Sequence, residues 1–209
     1  MQPSRQLHNL SLVEPTDDLE HLVGSYSFPS DANIDAYHCE LSISLLEPGD
    51  MVFTLSDGFL PIFEIRSKWV SSENGGNRLK FLPGSIGNLE AITVSRDQIF
   101  QLTHPLAESL IGSPCVFVRA EHLIPQPDVI CFPVRSLEYF QIRLEHPGTI
   151  FVNGVPCLVP GQPSQDISPL PPHETTVGNQ VYGRLVLQEW EVEMLLAHGR
   201  FQCGARQLE

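Results

Sequence analysis

Basic charge is what this sequence has least of. Lys68 and Lys80 are the only lysines among 209 residues, and with the scattered arginines the basic side chains number 12 against 25 acidic ones, a formal net charge of −13. Neutralising a phosphate backbone needs clustered Lys and Arg, so a nucleic-acid partner is excluded, and an anionic membrane surface is disfavoured on the same ground. Long apolar runs are missing too: no stretch nears the roughly 18 residues of a membrane-spanning helix. The first thirty residues carry no basic-then-apolar run ending in small residues, so no signal-peptide pattern is present. Cysteine is sparse and odd in number. Cys39, Cys115, Cys131, Cys157 and Cys203 form no CxxC pair, which argues against a disulfide framework and against a metal centre. The expectation is free or structural thiols in a reducing compartment, the cytoplasm by default, with no cofactor and no metal. HExxH, P-loop, GxGxxG and nucleophile-elbow patterns are all absent.

What is present is a chain with 42% hydrophobic and 18% charged residues, enough for a real core. Residues 1–26 are polar and acidic (Glu14, Asp17, Asp18, Glu20) and read as an N-terminal arm. From 27 to 160 short apolar runs alternate with turn residues, the pattern of an all-β domain. The runs include Leu41–Leu45, Met51–Leu55, Ile62–Ile65, Ala91–Val94, Val116–Val118 and Thr149–Val152. Between them stand Glu47-Pro-Gly-Asp50, a turn with proline preset, and the hairpin dipeptides Asp57-Gly58 and Asn153-Gly154. Asn74-Gly-Gly-Asn77 marks a loop or hairpin tip. Residues 161–182, with Pro163, Pro169, Pro171 and Pro172, read as an extended linker. Over 183–198 the positions Leu187, Trp190, Met194 and Ala197 predict an amphipathic helix that Gly199 stops, followed by a tail to 209. A strand over Val186–Met194 also fits the alternation. Three uses are open to such a helix: docking on the β domain, pairing with a second copy, or holding a protein partner.

Five blocks carry a resemblance when taken in order. They are Glu40-Leu-Ser-Ile-Ser-Leu-Leu-Glu-Pro-Gly-Asp-Met-Val-Phe-Thr54, Arg78-Leu-Lys-Phe-Leu-Pro-Gly-Ser-Ile-Gly87, Ile92-Thr-Val-Ser-Arg-Asp-Gln-Ile-Phe100, Phe117-Val-Arg-Ala-Glu-His-Leu123, and Tyr139-Phe-Gln-Ile-Arg-Leu-Glu-His146 with Ile150-Phe-Val-Asn-Gly-Val-Pro156. Over residues 27–160 this series resembles the Hint (Hedgehog/intein) domain family, in particular its stand-alone bacterial branch. The corresponding family patterns are E-x-P-V-E-D-L-x-P-G-D-x-V, P-V-R-I-x-A-G-A-L-G, D-L-x-V-S-P-x-H-R-V, x-L-V-P-A-x-x-L and V-x-Y-x-H-L-x-L-x-x-H-x-V-x-x-A-x-G-L-P. The resemblance implies a folded-over β domain and a self-directed chemistry. A Cys or Ser opening the domain attacks the preceding carbonyl, the peptide C–N bond breaks, and the hydroxyl or thiol proton is in effect moved to the leaving nitrogen. In the family, a His of the middle block, with a Thr or Ser three residues before it, polarises that bond.

Carried over position by position, the family's opening C-F-x-x-G-T-x-I falls on Ser27-Phe-Pro-Ser-Asp-Ala-Asn-Ile34, which makes Ser27 the nucleophile and Tyr26–Ser27 the scissile bond. The V-S-P-x-H block becomes Val94-Ser-Arg-Asp-Gln98: Ser95 is kept, but Gln98 replaces the His and cannot deliver a proton. The closing His is His146, one residue out of register, or is lost to Pro147. No His-Asn pair followed by Cys, Ser or Thr ends the segment, so intein-type splicing is not expected. Of the remaining candidates, Asp97 reads as a polar turn or an acid beside the bond. His104 reads as a surface-loop His, and His122 as a partner of Glu121 or a strand-edge His. Cys39 and Cys157 read as small buried hydrophobes. The expected function is that of a degenerate, catalytically impaired Hint-domain protein acting as a binding or structural module. The alternative is an autocatalytic N-to-O acyl shift and self-cleavage at Tyr26–Ser27.

Overall fold

The computed structural model describes residues 26–70, 77–133, 136–162, 180–181 and 184–204. The expected N-terminal arm, except Tyr26, and nearly all of the expected proline-rich linker lie outside the described residues. The chain runs β1 (Phe28–Pro29), β2 (Asn33–Asp35), β3 (Glu40–Ser42), β4 (Met51–Thr54), β5 (Gly58–Pro61), β6 (Glu64–Val70), β7 (Asn77–Phe81), β8 (Ile92–Ser95) and β9 (Ile99–Thr103). A short helix α1 (Ala107–Ile111) leads to β10 (Cys115–Arg119), β11 (Val129–Pro133), β12 (Leu137–Arg143), β13 (Gly148–Val152) and β14 (Val155–Val159). The C-terminal part adds β15 (Gln180–Val181), β16 (Arg184–Leu185), α2 (Glu189–Leu196) and β17 (Gln202–Cys203).

The all-β expectation holds. The main sheet has the order β10-β9-β14-β13-β2-β3, with β4 and β5 joined through β13 and β17 joined through β9. Two three-stranded sheets, β1-β12-β6 and β11-β7-β8, and the two-stranded β15-β16 stand beside it. Turn chemistry sets the registers. Asn153 and Gly154 both take positive φ, 48° and 72°, as a two-residue hairpin between Val152 and its partner Val155 requires. In Glu47–Asp50, Gly49 has φ 98° and the Asp50 N–H donates to the Glu47 carbonyl at 3.1 Å. β13 and β14 are buried at every position, which is why they read as continuous apolar runs. Around them lies one core in which Phe28, Ile34, Val52, Phe81, Phe100 and Ile150 are prominent.

Several local expectations are corrected. Leu41–Leu45 is a strand only to Ser42; Ile43–Leu45 is a 3-10 turn, which buries Ile43 and leaves Leu45 exposed. β6 and β7 sit in different sheets, and the loop or hairpin tip expected at Asn74–Asn77 lies, except for Asn77, outside the described residues. The helix begins at Glu189, not 183, because the residues before it are taken up by pairing with β10. Val186 bridges Phe117, and the Leu187 N–H donates to the Phe117 carbonyl at 2.8 Å. Tertiary pairing overrides helical periodicity here. The helix docks through Val192 and Leu195, while Trp190, expected on the apolar stripe, is exposed.

Candidate functional site

The site begins where β1 enters the fold. Phe28 pairs with Phe140 and Pro29 with Tyr139, so one residue before the paired register Ser27 stands opposite Gln141. Alternation along the strands then puts Ser27, Gln141 and Tyr139 on one face of this pair. Ser27 is 2% exposed, and its Oγ has no hydrogen-bond partner. Tyr26, on the acyl side of the bond, has φ 53°, a left-handed conformation that is uncommon for a non-glycine residue. Its side chain packs against the cluster of Ile99, Leu158 and Val186.

That cluster locates Gln98. Its amide nitrogen donates to the Ile99 carbonyl at 3.0 Å and to the Leu158 carbonyl at 2.9 Å, the backbones of two residues that Tyr26 packs on. The side chain is fully buried and Oε1 has no partner. Both N–H bonds of the amide are therefore committed, and only an acceptor remains free. Ser95 closes the same turn, its carbonyl accepting the Gln98 backbone N–H at 3.2 Å; it too is buried with an unpartnered Oγ. β8, which carries Ser95, packs against β1. Ser27, Ser95 and Gln98 are thus all buried, with β1 packed on β8 and Tyr26 on the two residues that Gln98 binds.

His146 is placed differently. It lies exposed in the turn between β12 and β13, beside Gly161, whereas the other three are buried. Asp97 is half-exposed and pairs with Arg119 at 3.7 Å. His104, expected on a surface loop, is buried: its Nδ1 accepts the Leu106 N–H at 3.2 Å, and its ring lies 5.2 Å from Phe201 of the C-terminal segment. His122 sits half-buried in the 3-10 turn Ala120–Leu123, not on a strand edge. Cys157 is buried as expected, but Cys39 is exposed, in the turn after His38 at φ 84°.

Two further groups belong to the region and were not singled out from the sequence. Arg78 lies opposite Ser95 in the β7–β8 register, 3% exposed, with its guanidinium 4.7 Å over the Tyr139 ring. Burial pulls its pKa down, opposed by Tyr139 and, further off, by Asp97; burial pushes the Tyr139 hydroxyl up against Arg78. Gln141 is the other. The closing pattern Y-x-H-L falls on Tyr139-Phe-Gln-Ile142, so a second glutamine stands on a family His, and that pattern was the signal that pointed to it. Nothing in Asn77-Arg-Leu-Lys-Phe81 announces a buried arginine, since strand alternation assigns Arg78 to the polar face. Among the described residues no group of His, Cys, Asp and Glu is arranged to hold a metal.

This architecture is that of a Hint-type domain. The Hint domain family model matches residues 26–159, most of the chain, and the protein belongs to that family. No curated protein matches it in sequence. Among solved structures it is similar to the bacterial intein-like domain from Clostridium thermocellum, at 10% identity and TM-score 0.43, over 65% of this chain and 99% of that one. It is also similar to the gp41-1 intein, at 12% identity and TM-score 0.38 over 65% and 99% of the two chains. A third is the Msm DnaB1 intein splicing domain bound with zinc, at 10% identity and TM-score 0.39 over 62% and 97%.

Proposed function

We propose that this protein is a Hint domain whose self-cleaving chemistry is impaired and whose fold serves as a binding or structural module. The observation that carries this reading is the state of Gln98. The acyl shift at Tyr26–Ser27 needs a proton on the leaving nitrogen as the C–N bond breaks, and general acid–base catalysis supplies about 10²- to 10⁴-fold of such rates. An amide has no proton to give at neutral pH. At Gln98 even the N–H donors are turned away, held by the Ile99 and Leu158 carbonyls. The remaining atom, Oε1, is an acceptor and carries no proton. Ser27 Oγ has no partner to act as its base. Partner binding falls to α2, whose Trp190 is 63% exposed and available to a second protein or a second copy. Light scattering of wild type and Trp190→Ala tests self-association: a dimer in the first and a monomer in the second supports pairing through α2, and identical masses exclude it.

Self-cleavage is the second reading, favoured by the left-handed Tyr26 next to a buried serine. Intact-mass analysis of the full chain, with and without hydroxylamine, separates the two. Impairment predicts a single uncleaved species, the same for Ser27→Ala. A fragment beginning at Ser27 that Ser27→Ala abolishes would establish cleavage.

A further inference from the structure

The family match ends at residue 159, yet the described packing around Tyr26 does not. Val186 is a member of the buried cluster on which Tyr26 rests, and Val181 packs against the same cluster with Phe117. The strap is fastened at several points. Val186 bridges Phe117, the Leu187 N–H donates to the Phe117 carbonyl at 2.8 Å, and the Arg184 guanidinium lies 5.2 Å over the Phe117 ring. Downstream, α2 packs on the 3-10 turn Ala120–Leu123, and β17 pairs with β9 through Gln202–Thr103 and Cys203–Leu102. These anchors hold the segment from its C-terminal side.

We infer that Val181 and Val186 form a built-in cover beside the Tyr26–Ser27 bond, an autoinhibitory strap contributed by the chain beyond its Hint segment and anchored on Phe117 by Arg184 and Leu187. The physical basis is apolar contact: the Tyr26 side chain packs on Val186 and Leu158, and Ser27 beside it is 2% exposed, which leaves little access for a hydrolytic water or an external nucleophile. The meaning of the cover rests on the reading of Tyr26–Ser27 as the site; the cover itself does not.

Hydroxyl-radical footprinting of the full chain, read by mass spectrometry at Tyr26, tests it without any chemistry at Ser27, so it stands or falls apart from the self-cleavage reading. Val186→Asp puts a charge into the cluster and is expected to raise Tyr26 oxidation about tenfold. Arg184→Ala, which removes only the stacking on Phe117, is expected to raise it two- to threefold. Leu89→Ala, at a side chain 92% exposed ahead of β8, should leave Tyr26 unchanged. Amide exchange in β13 and β14 reports on the fold. If Val186→Asp also loosens those strands, the comparison is read from Val186→Ala, expected to give a threefold rise with β13 and β14 intact. Tyr26 oxidation at the wild-type rate in a folded Val186 variant would overturn the strap.

Discussion

At Gln98 a single side chain ties two strands together and is also the residue on which the proposed loss of chemistry rests. Its amide nitrogen joins the start of β9 to β14 through the Ile99 and Leu158 carbonyls. Gln98→Ala removes two buried hydrogen bonds, and a loss of about 1–3 kcal/mol is expected from denaturant titration. The thiols give a second residue-level expectation. Burial pushes Cys157 well above the ordinary thiol range and Cys203 up to about 12, whereas Cys39, Cys115 and Cys131 are exposed. Alkylation of the native protein at pH 8 should therefore label the exposed three and spare Cys157 and Cys203, as peptide mapping will show. The motif picked out Ser27, Ser95 and Gln98 by spacing and order, and the structure buries all three. Arg78 was not legible in the sequence, since its burial comes from Tyr139 lying over it, a contact between strands far apart in the chain.

Among the elements, the β13–β14 hairpin was the easiest to read. Asn-Gly between two apolar runs has few other uses, and both residues take the left-handed conformations it needs. Gly154→Ala forces a Cβ into that conformation and should cost about 1–2 kcal/mol, measured as a lower thermal midpoint. The C-terminal helix was read correctly as a helix but on the wrong face. Spacing alone made Trp190 and Met194 part of the apolar stripe, while the docked residues are Val192 and Leu195. A stripe read by periodicity cannot show which side meets a surface whose position is set by β10 and by Leu187. Leu195→Ala is accordingly expected to destabilise by about 2–5 kcal/mol, and Trp190→Ala to leave the unfolding midpoint unchanged.

Across the whole molecule, the family match ends at residue 159, and the packing continues beyond it. Phe201 is fully buried, His104 is covered by it, and β17 extends the main sheet. Proline-rich sequence signals a break in regular structure, not in the core, and only three-dimensional contact shows that the chain returns. The buried thiols also tie stability to alkaline pH. Their folded-state pKa values lie above the ordinary value of 9.0, so the unfolded chain loses these protons first. Their contribution is complete below pH 9 and is lost as pH rises toward 12. Urea midpoints between pH 8 and 11 should fall, and fall less in Cys203→Ser. The central claim, that Gln98 in place of a proton donor silences a Hint site, is tested most directly by Gln98→His in the full-length chain, followed by intact mass over time. A fragment beginning at Ser27, absent from wild type and from Gln98→His combined with Ser27→Ala, is the expected result. Cleavage at Tyr26–Ser27 by the wild-type chain, at a rate that Gln98→His does not raise, would contradict it.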